Sequence, residues 1–186
     1  MEIILIRHGR PASANNRTFG AVDYLKWIRQ YNLSDVASDS RPLFKIENLN
    51  SYYLVSSHLN RAIHSTKLYT GREPDHVSDL YKEMDIPRYK LPIRLKAMTW
   101  VYLCRLIWMC GAKGPFESFH QAKIRAEQAS LQLIELAKTE GKIVLFGHGY
   151  MNFFIRKNLV RQGWLLENKN SHYWGVTTLK FNKYSI

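Results

Sequence analysis

Cysteine is nearly missing: Cys104 and Cys110 are the only two in a chain of 186 residues. Two thiols cannot build the disulfide framework of a small secreted domain. Both lie in an apolar run, so they read as reduced core residues of a cytoplasmic protein. A long hydrophobic span is missing too. The longest apolar run, Ala97 to Cys110, is interrupted by Thr99 and Arg105, and as a helix it reaches about 21 Å against roughly 30 Å of hydrocarbon. No membrane partner is expected. Glu2 and a short apolar stretch, Ile3 to Ile6, precede Arg7, which is too brief for a signal peptide. No His-Glu-x-x-His or Cys-x-x-Cys spacing occurs, so no metal is expected. Nothing resembles an aromatic RNA-binding strand, a zinc-finger spacing or a basic heptad region, so no specific nucleic acid is expected either. Acid is scarce: 15 Asp and Glu stand against 27 Lys and Arg, a formal net charge of +12. That excess suggests an anionic partner without choosing among nucleic acid, an acidic membrane surface and a phosphorylated molecule.

What is present is ordinary for a globular chain, with 46% apolar and 23% charged residues. The length suits one domain over 1–186. Glu2 to Ile6 is a β-branched run that stops at Arg-His-Gly, a buried strand followed by a loop. Residues 10–20 have loop composition. Val22, Leu25 and Ile28 at helical spacing predict a helix from Ala21 to about Tyr31. Tyr52 to Val55 is a second strand, followed by a helix with Ser57 as its N-cap and Leu59, Ala62 and Ile63 inward. A weak strand is expected at His76 to Ser78, then the apolar run from Leu95 to Cys110. Apolar positions at Ile124, Leu131, Ile134 and Leu136 predict a long helix from Glu117 to Thr139, closed by Gly141. Lys142 to Phe146 is a strand, Met151 to Val160 a helix, and Gly175 to Phe181 a last strand. Strands alternating with helices predict an α/β fold, a three-layer sandwich around a mainly parallel central sheet.

Three strand ends deliver polar groups: Arg7-His8-Gly9, Ser56-Ser57 with Arg61 one turn on, and Gly147-His148-Gly149. The carboxyl ends of strands in an open α/β sheet form one crevice, which is where ligands bind. Two arginines, two histidines and helix N-termini meeting there would make an anion site suited to phosphate.

These segments resemble the histidine phosphatase superfamily, the phosphoglycerate mutase-like proteins. The resemblance starts at Leu5-Ile6-Arg7-His8-Gly9. It continues with Ser57-His58-Leu59-Asn60-Arg61-Ala62-Ile63-His64-Ser65, close to the family's Ser-Pro-Leu-x-Arg-Ala-x-Gln-Thr. Leu80-Tyr81-Lys82-Glu83-Met84-Asp85 matches the segment holding the family's acid, and Phe146-Gly147-His148-Gly149 its second histidine. The segments stand in the family's order from residue 2 to about residue 181.

The resemblance implies phosphatase activity on a phosphate monoester or phosphoprotein, through a phosphohistidine and without a metal or other cofactor. His8 would be the nucleophile, as a neutral imidazole with its other nitrogen held by a backbone carbonyl. Arg7, Arg61, His148 and Gly149 would bind the phosphoryl oxygens. Glu83 would be the proton donor and then the base, with Asp85 and Asp79 as alternative carboxylates. The chain departs from the family pattern at Pro11 and Ala14, where many members have Ser or Thr and Asn, and at His58, where proline is usual. The insertions of sugar-acid mutases are missing, which favours hydrolysis over mutase-type phosphotransfer. A third reading is a non-catalytic module that binds anions or nucleic acid. In this family the segment after the acid commonly covers the active site. Residues 86–116 are therefore expected as a helical cap whose aromatics, Trp100, Tyr102 and Trp108, shape a leaving-group pocket or a homodimer contact; the bland alternative is plain core.

Overall fold

Runs of apolar residues with no polar break belong in the middle of a sheet. In the computed structural model, which describes residues 1–182, Glu2–Arg7 (β1) takes that place, with Ile3 to Ile6 all buried. It pairs in parallel with Lys142–Gly147 (β6), which pairs in parallel with Tyr53–Ser57 (β3), and β3 with His76–Ser78 (β4). On the other side of β1, Val176–Lys180 (β8) runs antiparallel and pairs with Leu165–Asn168 (β7). The order is β4-β3-β6-β1-β8-β7, a mainly parallel sheet with two antiparallel strands at one edge. Thr18–Phe19 (β2) and Leu95–Lys96 (β5) form a separate antiparallel pair.

Alternation along the strands divides the core. Ile3, Leu5, Val55, Ile143 and Leu145 face the layer made by Phe119–Glu140 (α4) and Gly149–Arg161 (α5). Ile4, Ile6, Leu54, Val144 and Phe146 face the other layer, where Tyr69 of Asn60–Thr70 (α2), Val36 and Trp174 pack. The result is the three-layer α/β sandwich. A third, smaller core lies between Ala21–Leu33 (α1) and Ala97–Met109 (α3), with Tyr24 stacked on Trp100 at 5.1 Å and Trp27, Ile28 and Cys104 around them.

Several expectations change in detail. The inner face of α1 is Tyr24, Trp27 and Ile28, while Val22 is exposed. The inner face of α4 is a stripe of small residues, Ala122, Ala126, Ala129 and Ser130, with Leu133 and Ala137; Ile124 and Leu131 point outward. Small side chains let α4 lie close to the sheet and to α5, and that close approach outweighs the pull of the larger apolar residues. Ser57 does not cap α2, whose N-cap is Leu59 with no side-chain bond; Ser57 Oγ accepts from the Leu59 N–H at 3.3 Å and turns the chain before the helix. Cys104 is buried but Cys110 is exposed, just past the end of α3. β7 has no strand signal in the sequence: every residue in it is exposed. No helix among the described residues is long and apolar enough to cross a membrane.

Candidate active site

β1 and β6 lie side by side in register, Arg7 opposite Gly147, so the histidines that follow them leave the sheet together. The His8 N–H donates to the Gly147 carbonyl at 3.0 Å. The two imidazoles are both buried, with ring centres 5.0 Å apart. Glycine at position 9 is a packing requirement: a Cβ there would meet the Trp174 ring at 2.3 Å. The Gly9 N–H donates to Ser65 Oγ in α2 at 2.9 Å, which ties the loop after β1 to the helix carrying Arg61.

His8 Nδ1 lies 2.7 Å from the Gly9 carbonyl. A carbonyl only accepts, so Nδ1 carries the proton and Nε2 keeps its lone pair. Nε2 accepts from Arg61 Nε at 3.3 Å. Burial, then the Arg61 charge, holds His8 well below the ordinary histidine value, with Arg7 adding to the effect against the Gly9 hydrogen bond. The result is a neutral imidazole held by a backbone carbonyl. Burial likewise holds His148 low, helped by Arg61, His8, Arg7 and His58.

Arg61 is buried without a salt bridge among the described residues. Its Nη1 donates to the Tyr31 and Asn32 carbonyls at 3.1 and 3.3 Å, at the C-terminal end of α1, and its guanidinium faces the Tyr31 ring at 5.0 Å. Those carbonyls carry the negative end of the helix dipole and accept the charge. Arg7 is held in a similar way, by the Ser171 carbonyl at 2.9 Å and the Tyr173 ring at 4.2 Å. A Cβ at Gly149 would come within 3.4 Å of that guanidinium, so glycine lets Arg7 lie against the first turn of α5. Arg7 Nε, Arg61 Nη2 and both ring nitrogens of His148 are buried with no protein partner. Buried polar atoms are almost always satisfied. A cluster of them around one imidazole is what a tetrahedral oxyanion would complete.

Glu83 is the carboxylate that reaches this crevice. Its Oε1 accepts from the N–H groups of Met84 and Met151, both at 3.0 Å, and its Oε2 from that of Tyr150 at 3.4 Å, which places it on the N-terminus of α5. It shares a cleft wall with Arg7 and Gly149. Asp85 faces elsewhere and accepts from the Glu117 N–H at 2.8 Å; Asp79 is exposed in the short 3-10 turn Asp79–Tyr81. The departures from the family pattern also have local explanations. Pro11 bridges to Val36, and Asn16 accepts from the Met98 N–H at 3.0 Å, so this loop is spent on packing and on the start of α3. The His58 N–H donates to the Ser78 carbonyl at 3.3 Å, a bond that proline could not make. Arg10, near the mouth, pairs with Asp39.

No protein-family model matches the sequence, and no curated protein does. Solved structures do share its architecture. One is the product of a Mycobacterium tuberculosis open reading frame, 15% identical with a TM-score of 0.66, the match covering 99% of this chain and 93% of that one. Another is a phosphoserine phosphatase from Entamoeba histolytica, a histidine-to-alanine mutant in complex with phosphoserine. It is 17% identical with a TM-score of 0.58, covering 98% and 91%. A third is a phosphoserine phosphatase of the same organism with 3-phosphoglyceric acid, 17% identical with a TM-score of 0.55, covering 95% and 89%. The chain has the phosphoglycerate mutase-like fold. Within that fold the residues that sequence reasoning missed are the supports: Tyr31 and Tyr173 against the two arginines, and Arg105 of α3. Arg105 is a buried charge whose Nη2 lies 3.9 Å from Glu83 and whose guanidinium sits 3.7 Å over the Tyr150 ring. A lone arginine in an apolar helix was a signal for it. Among the described residues no cluster of three or more His, Cys, Asp or Glu is set to hold a metal ion.

Proposed function

We propose that the protein is a phosphohydrolase acting on a phosphate monoester, in a small molecule or a phosphoprotein, through a phosphohistidine on His8. The observation that carries this reading is the His8 ring itself: Nδ1–H fixed on the Gly9 carbonyl, Nε2 unprotonated, and unpartnered buried donors around it. His8 Nε2 attacks phosphorus and the ester P–O bond breaks. Arg7, Arg61 and His148, with the start of α5 at Gly149, hold the phosphoryl oxygens while charge shifts among them. Glu83 gives its proton to the leaving oxygen. A water then attacks the phosphohistidine, Glu83 takes a proton from it, and phosphate departs with His8 neutral again. No step calls on a metal. The solved phosphoserine phosphatases of the same fold support this class of reaction. Their likeness, with Glu83 in the crevice, favours hydrolysis over mutase chemistry and over a module that only binds.

The test is hydrolysis of p-nitrophenyl phosphate with chelator present, followed by trapping of an acid-labile, base-stable phosphoenzyme. Turnover in the wild type, none in His8→Ala, and phosphate on His8 are the expected results. Full activity in His8→Ala, or a strict metal requirement, overturns the mechanism.

A further inference from the structure

We propose that the leaving group of the substrate is an apolar, ring-bearing alcohol with no second anionic group. The inference rests on the phosphohydrolase reading and adds what lies beyond the ester oxygen.

α3 is apolar on two faces. Ala97, Trp100, Cys104 and Trp108 are buried. Met98, Tyr102 and Met109 recur at the spacing of one helical stripe on a different face, and remain 37%, 62% and 40% exposed. That second stripe is not idle surface. Together with Tyr150 and Phe153 of α5 it lines a cleft of about 450 Å³ that Arg7, Glu83 and Gly149 also line. Three of the groups assigned to phosphoryl transfer therefore border the same space as the apolar stripe, and that space is of the size that ordinary ligand pockets have.

Its chemistry excludes the commonest small phosphate esters. A phosphorylated amino acid or sugar acid carries a carboxylate that needs a cation of its own. At the apolar end the cation is Arg105, whose Nη2 already serves the Met84 carbonyl at 3.4 Å and lies 3.9 Å from Glu83. A carboxylate brought there would have to compete with Glu83 and the Met84 carbonyl for the same guanidinium. Arg105 Nε, buried and without a partner, offers a single donor to a neutral acceptor. Thioethers and aromatic rings lining one cleft suit a flat ring better than a flexible chain, through sulfur–aromatic and ring–ring contact.

The experiment compares kcat/KM for phosphate esters of primary alcohols, so that leaving-group acidity varies little: 2-(2-naphthyl)ethyl phosphate, n-hexyl phosphate, phosphoserine and 3-phosphoglycerate. The naphthyl ester is expected to exceed phosphoserine and 3-phosphoglycerate about tenfold or more, and hexyl phosphate severalfold. Tyr102→Asp, on an exposed position that can change without unfolding α3, narrows these ratios to about twofold, chiefly through KM. Equal or faster turnover of phosphoserine, 3-phosphoglycerate or hexyl phosphate overturns the proposal. Calorimetric binding of the matching phosphonates separates the two readings. Ring preference in binding without hydrolysis removes the phosphatase and keeps the pocket; hydrolysis without ring preference removes the pocket alone.

Discussion

A buried guanidinium ordinarily sits against a carboxylate. Arg61 sits instead against two helix-end carbonyls and a tyrosine ring, and Arg7 against one carbonyl and another ring. Both keep positive charge uncancelled beside a neutral imidazole, the arrangement a phosphate dianion needs. The carboxylate of the site is kept one step away, on the N-terminus of α5, where the proposed mechanism gives it the proton to move. That task matters most for poor leaving groups. An alkoxide cannot depart unprotonated, whereas a phenol, with a pKa near about 10, leans on the donor far less. Glu83→Gln is therefore expected to lower kcat for an alkyl phosphate by roughly 10² to 10⁴ and for p-nitrophenyl phosphate much less. Stopped assays on the two substrates read the difference; equal losses would remove Glu83 from the proton path. His8, Arg7, Arg61 and His148 were legible in the sequence because each follows a short buried run and stands beside glycine or in a helix start. Glu83 was legible only as one of three acids, since the choice among them depends on which peptide N–H groups each one meets. Tyr31, Tyr173 and Ser171 were not legible: what they do depends on loops that meet only after folding.

The segment carrying Glu83 has no regular structure to hold it beyond one 3-10 turn. α4 supplies the hold. Arg125 Nη1 donates to the Leu80 and Lys82 carbonyls at 3.1 and 2.8 Å, and its Nε and Nη2 grip the Glu117 carboxylate at 2.7 Å each. Glu117 in turn gives its N–H to Asp85, which fixes the segment on both sides of Glu83. Arg125→Met leaves those carbonyls and a mostly buried carboxylate unpaired, at a cost on the order of 3 kcal/mol. Arg125→Met with Glu117→Leu removes the orphaned charge as well. Thermal unfolding is expected to recover in the double variant while kcat for an alkyl phosphate stays low, because the positioning of Glu83 is still lost. Recovery of both would make Arg125 a purely structural residue. Elements were readable wherever the apolar period was strong, so the parallel strands and all five helices follow from the sequence. Faces were less readable. In α4 the larger residues, Ile124 and Leu131, advertise one side, while packing uses the alanines of another. β7 could not be read at all, being an edge strand with no buried residue to give it a pattern.

The whole molecule carries two histidines held well below their ordinary value at the junction of its two central strands, inside a chain of net charge +12. That combination makes stability depend on pH in a definite direction. Above about pH 6.5, the ordinary value, His8 and His148 are neutral in the folded and the unfolded chain, and neither contributes to a slope. Below it the unfolded chain binds protons that the folded one refuses, so acidification favours unfolding. The loss begins at about 6.5 and continues down to the lowered folded values, at up to about 1.4 kcal/mol per pH unit for each histidine. Charging them would also add to an excess of positive charge that already repels itself. Tm is thus expected to be flat from pH 7 to 8 and to fall from pH 6.5 to 5, a range above most carboxylate titrations. His148→Asn should remove roughly half of that slope, and saturating inorganic phosphate or vanadate, which adds acceptors for the donors around His8, should raise Tm across the whole range. Calorimetry at half-unit pH steps decides it: a Tm that stays level down to pH 5, with or without the anion, would mean that neither imidazole is held neutral by the fold.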